Sequence, residues 1–151
     1  MIDIGNKVFD TIFNAVTANG AYPDADVTTG FDEKTAVFPC VVVEETSSVP
    51  LQKGNTDDCA ENYTRFVYEV SVYTDNVNSA KTVGKDILNI VDTALQGLKF
   101  RRIHKNKPLN IARTIFRQYG RWEVIVGKPI TRTDIVDGKP VETTVYQMYR
   151  R

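Results

Sequence analysis

Cysteine and histidine are scarce in this chain. It carries two cysteines and a single histidine, too few to build a four-ligand structural zinc site without carboxylates. No Gly-rich phosphate loop of either common pattern occurs. No apolar run approaches the about 20 residues of a membrane span. The N-terminus has neither the basic start nor the apolar stretch of a secretory signal, so a cytoplasmic protein is expected, and there a Cys40–Cys59 disulfide is disfavoured. Cys40 lies in the apolar run Phe38-Pro39-Cys40-Val41-Val42-Val43 and is expected to be a buried, inert thiol; Cys59 lies in a polar loop. No metal and no cofactor are expected.

What the chain does have is a segregation of charge. Residues 1–75 hold 13 Asp plus Glu against 4 Lys plus Arg, and residues 76–151 hold 6 against 15, so a net charge of zero is built from two opposed halves. Neither half is a tail, because both contain apolar periodic segments. Two arrangements are open. The charges interleave in three dimensions and cancel locally, or they form complementary patches suited to head-to-tail contacts between identical copies.

At 151 residues the chain is read as one domain, 1–151, large enough to bury a core without covalent staples. Ile4, Val8, Phe9, Ile12, Phe13 and Val16 recur at helical spacing over residues 2–18, and Asn19-Gly20 ends that helix. Tyr22–Lys34 reads as a surface loop. Ala36–Glu45 is a short β-rich run, expected as a strand buried on both faces, with Pro39 marking an edge or a bulge. Thr46–Asn62 is polar and without periodicity, and reads as a long loop that orders on contact with a partner.

Thr64–Thr74 alternates, with Phe66, Tyr68, Val70 and Val72 facing the core and Val67, Glu69, Ser71 and Tyr73 facing away. Asn78 or Ser79 caps a second helix that aligns Ala80, Val83, Ile87, Val91, Ala94 and Leu98, and Gly84 permits close approach to the sheet. Ile111–Thr133 is extended, with a possible break at Gly120. Asp137-Gly138 marks a hairpin from which Val141–Tyr149 returns. This order predicts an α+β fold: a mixed, mainly antiparallel sheet with two helices on one face and a C-terminal β-hairpin.

Candidate catalytic residues are sparse, and no enzymatic activity is expected. His104 sits within a basic run and reads as a solvated surface histidine. Glu44 and Glu45 are strand neighbours that point to opposite faces, so they do not form an acid dyad. The run Lys99–Lys107, with Phe100 interleaved, is either a solvated connector, a phosphate-neutralising patch, or a surface that meets acids on a neighbouring copy. The interface candidates are Glu44, Glu45, Asp57, Asp58 and Glu61 on the acidic side and Arg101, Arg102, Arg113, Arg117 and Arg121 on the basic side. Arg113 and Arg117 are expected to share a strand face; on an uninterrupted strand Arg121 joins them, and a bulge at Gly120 would turn it away.

Several segments carry a recognisable order: Phe38–Glu45, the loop ending at Glu61-Asn62, Tyr68–Tyr73 followed by the Ala80–Leu98 helix, Thr114–Arg117, Gly120–Val126 and the closing Tyr149-Arg150-Arg151. In that order and spacing the chain resembles the tail terminator, or tail completion, proteins of long-tailed bacteriophages. The resemblance implies a small α+β subunit of a hexameric ring that caps the finished tail tube. Its implied partners are further copies of itself, the tail tube protein and a head completion or connector protein. DNA would pass through the ring without sequence-specific binding, and no membrane is involved. Its implied location is the head-proximal end of the virion tail, after assembly in the bacterial cytoplasm. A head-side completion protein and a nucleic-acid-binding module are the alternatives. Asp134–Thr144 is longer and more polar than this resemblance leads one to expect before the last strand.

Overall fold

The computed structural model describes residues 2–18, 21–31, 37–51, 63–75, 80–112 and 114–149. Period-two alternation builds its centre. Strand β3 (Tyr63–Thr74) pairs antiparallel along its whole length with β6 (Ile115–Gly127), from Tyr63 opposite Gly127 to Thr74 opposite Phe116. Phe66, Tyr68, Val70 and Val72 of β3 and Trp122, Val124 and Val126 of β6 face the helices and are buried. The ladder passes through Gly120 without interruption, so the chain takes no break there.

Strand β2 (Cys40–Pro50) lies on the other side of β3, and β1 (Asp26–Thr28) runs parallel to its start. The free edge of β6 is divided among three short strands, all antiparallel to it. They are β5 (Leu109–Ala112), β4 (Arg101–Lys105) and β9 (Met148–Tyr149), which meet β6 in turn along its length. The main sheet therefore runs β1-β2-β3-β6-β4. The fold is α+β with a mainly antiparallel mixed sheet.

One layer of helices covers one face. Helix α1 (Gly5–Phe13) continues into a wider π turn, Asn14–Ala18, and buries Ile4, Val8, Ile12 and Val16. Asp3 accepts the Gly5 N–H at 2.9 Å, satisfying one of the unpaired donors of the first turn. Helix α2 (Ala80–Gly97) buries Ala80, Gly84, Ile87, Leu88, Val91 and Leu95. The buried stripe is rotated from the expected one toward Leu88 and Leu95, leaving Val83, Ala94 and Leu98 half-buried. Gly84 does permit close approach: a Cβ there would lie 3.0 Å from the Gln118 amide, which donates to the Lys81 carbonyl at 2.9 Å.

Three other expectations change. The Tyr22–Lys34 loop contains β1, too short to show a period. Strand β2 does not stop at Glu45 but passes a bulge at Thr46 and runs to Pro50. Backbone pairing to β3 holds this polar stretch, and a ladder does not require apolar side chains. The rest of the expected loop, 52–62, lies outside the described residues, as do Cys59, Asn19-Gly20 and the Asn78-Ser79 cap. Finally, the basic run is not a connector, because Arg101–Lys105 forms edge strand β4. Cys40 is buried, and its burial, reinforced by the Asp26 charge, pushes the thiol up to about 11.

Asp137 and Gly138 both have positive φ, at 52° and 75°, as a two-residue type I′ turn requires. They join β7 (Ile130–Val136) to β8 (Lys139–Val145) in a separate two-stranded sheet. Every residue of this hairpin is exposed.

Candidate assembly interface

The sheet face turned away from the helices carries a lattice of charge set by the β3–β6 register. Odd-numbered residues of both strands point there, so Arg65, Glu69, Arg117, Arg121 and Glu123 share one surface. Glu69 accepts from Arg117 at 2.7 Å and from Arg121 at 2.8 Å. Glu123 accepts two bonds from Arg65, at 2.8 and 2.5 Å, and one from Arg101 on β4, at 2.5 Å. Tyr119 lies between Arg117 and Arg121, whose guanidinium carbons stand 4.5 and 5.8 Å from its ring centroid.

These contacts bury Glu69 and Glu123 on a face that has no helix over it. Alternation alone places Val67, Glu69 and Ser71 away from the core; the arginine lattice and neighbouring strands cover them nonetheless. Burial pushes the Glu123 carboxyl up, but the hydrogen bonds and charges of Arg65 and Arg101 outweigh it and hold the group below the usual carboxylate range.

The interface candidates sort accordingly. Arg101, Arg117 and Arg121 are ion-paired within their own sheet, and Arg102 reaches Asp92 of α2 at 3.5 Å. Arg117 and Arg121 share a face, because no bulge at Gly120 turns the second away. Glu44 stands opposite Glu69 and Glu45 opposite Tyr68, so the two acids do point to opposite faces. Arg113, Asp57, Asp58 and Glu61 lie outside the described residues. His104 is exposed on β4, its ring 5.5 Å from that of Tyr119.

Two grooves flank the helix side of the sheet. One, of about 670 Å³, is lined by Asp3 and Phe9 at the α1 side and by Val43, Glu44, Glu45 and Tyr68 of the sheet. Tyr68 donates to Glu45 at 3.3 Å, and burial first, then the Glu45 charge, pushes its phenol well above the ordinary value. The other groove, of about 430 Å³, is lined by Lys81 and Lys85 of α2 and by Lys105, Asn106, Lys107 and Gln118. Lys81 and Lys85 are not singled out by the sequence alone; their spacing of one helical turn puts them on one face of α2, and the fold sets that face beside Lys105.

Among the described residues no group of three or more His, Cys, Asp or Glu side chains is placed to hold a metal ion. No helix there is long and apolar enough to cross a membrane. No protein-family model matches this sequence, and no curated protein matches it.

Proposed function

We propose that the chain is a structural subunit of a long-tailed bacteriophage virion, a tail terminator that closes into a homo-oligomeric ring on the finished tube. The observation that carries this reading is the β7–β8 hairpin. An isolated two-stranded hairpin is marginal in water, yet all of Ile130–Val145 is exposed, including Ile130, Ile135, Val136, Val141 and Val145. At seven residues a strand it reaches about 23 Å. Such an arm gains stability when another subunit covers it, and an assembly subunit supplies that cover.

The rest of the molecule suits the same role. One groove of the molecule is bordered by Asp3, Glu44 and Glu45 and another by lysines, and heterologous contacts between unlike surfaces close into rings when the rotation permits. The ordered resemblance to tail terminators supplies the biological setting. The mechanism is geometric: the ring covers the surface to which tube subunits add, ending growth, and presents a new surface to the head.

Sedimentation and electron microscopy of the purified chain, alone and with tail tubes, test the reading. Rings of tube diameter, and tubes that stop growing once capped, are the expected result. A chain that stays monomeric while tubes elongate undiminished in its presence would overturn it.

A further inference from the structure

The cationic groove differs from the arginine-rich regions of the molecule. Arg65, Arg101, Arg102, Arg117, Arg121 and Arg132 each make an ion pair within the chain. Lys81, Lys85, Lys105 and Lys107 make none among the described residues, and no carboxylate lines the groove they form. Within the same lining, Asn106 accepts the Tyr119 N–H at 2.6 Å through its side-chain oxygen, while its amide nitrogen is buried without an acceptor. Four unneutralised cations and an unanswered donor present a surface made for oxygen-rich, negatively charged groups.

The groove whose lining includes Asp3 and Glu45 has the opposite character, with no Lys or Arg in its lining; Glu44 borders it but stands opposite Glu69 of the open face. The two grooves are related by the sheet itself. Lys105 pairs with Gly120, Gly120 with Val70, and Val70 with Val43, the neighbour of Glu44. This is one row across four strands, about 14 Å from first to last. Both grooves open on the helix side, at the same height and on opposite lateral edges. A copy placed beside another in the same orientation sets lysines against carboxylates.

We propose that the Lys81–Lys85–Lys105–Lys107 groove is the docking surface for a second copy of the chain and receives that copy's Asp3 and Glu45 rim. The contact is heterologous, so it repeats around a ring. It rests on the reading that the chain self-assembles, and it names the surfaces that do so. Because facing charges govern encounter and register, association weakens as salt shortens the screening length below about 8 Å.

The test compares the wild-type chain with Lys81→Glu/Lys85→Glu and Asp3→Lys/Glu45→Lys by sedimentation at low and high salt. Circular dichroism and thermal melting verify that each variant is folded, and Lys81→Gln/Lys85→Gln gives a milder version should a reversal not fold. Each reversal alone is expected to weaken association about a hundredfold, and mixing the two to restore it. Assembly of the lysine variant at the wild-type level would overturn this interface while leaving self-assembly standing. A wild-type chain that never associates would overturn both. Salt-sensitive binding of a DNA duplex that is lost in Lys81→Glu/Lys85→Glu, with self-association unchanged, would assign the groove to phosphates and overturn the proposal.

Discussion

The indole of Trp122 lies over the backbone of Gly120, so that a Cβ at Gly120 would stand 2.6 Å from the ring. Both residues face the helices, two positions apart on β6, and Trp122 is almost wholly buried. Its indole N–H donates to Asp92 of α2 at 2.8 Å, tying sheet to helix. The ring is rigid, buried and tied to Asp92, so it yields little to a new methyl group. Gly120→Ala is expected to destabilise the chain by about 1 to 3 kcal/mol, read as a lowered urea midpoint with an unchanged slope.

Glu69 serves two arginines, and this makes their loss non-additive. Removing Arg117 or Arg121 alone leaves the buried carboxylate one partner. Removing both leaves it uncompensated on a covered face. The Arg117→Ala/Arg121→Ala double variant is therefore expected to lose more stability than the two single variants together, and a double-mutant cycle in urea measures the excess.

The Glu123 carboxyl titrates lower in the folded chain than in the unfolded chain, where it has the ordinary value of about 4.3. Its ion-pair stabilisation is then complete above that value and is lost as pH falls through the lower folded-state value. Urea unfolding from pH 7 to pH 3 should show this acid limb in the wild type and a shallower one in Glu123→Gln, which is already less stable at neutral pH.

Lys99 follows α2 with φ of 69°. The Phe100 N–H returns to the Leu95 carbonyl and the Lys99 N–H to the Gln96 carbonyl, both at 3.0 Å, the pattern of a Schellman cap with lysine where glycine is usual. Lys99→Gly relieves the left-handed backbone and is expected to stabilise the chain by about 0.5 to 1 kcal/mol, read from a raised melting temperature.

The hairpin is removable on topological grounds. Beneath it, the Gly127 N–H donates to the Gln147 carbonyl at 2.7 Å, and Val126 pairs with Met148. Replacing the hairpin by a short turn is expected to leave the melting temperature of the monomer nearly unchanged and to impair assembly. In the intact chain, hydrogen exchange should find the hairpin amides unprotected in the monomer and protected in the ring.

Much of the core was legible from local pattern. The alternation of Phe66, Tyr68, Val70 and Val72, the helical spacing of Val8, Ile12 and Val16, and Asp137-Gly138 each report a constraint that a few neighbouring residues impose on themselves. Strand β1 was not legible, because three residues contain no period. The extension of β2 past Glu45 was hidden because its ladder is made by backbone. The rotation of the α2 stripe toward Leu88 and Leu95 arose from what the helix met, with Gln118 of β6 seated against Gly84.

By itself the sequence determined which strand faces are apolar, where the chain turns and how unevenly its charges are divided, since all three are properties of residue order. Only the tertiary structure decided which charges remain available. The β3–β6 register delivers Glu69 and Glu123 to the arginines of the open face, whereas Lys81, Lys85, Lys105 and Lys107 meet at an edge that no carboxylate of the described residues reaches. Ion pairing depends on which side chains a fold brings within a few ångströms, and a count of charges along a chain contains no distances.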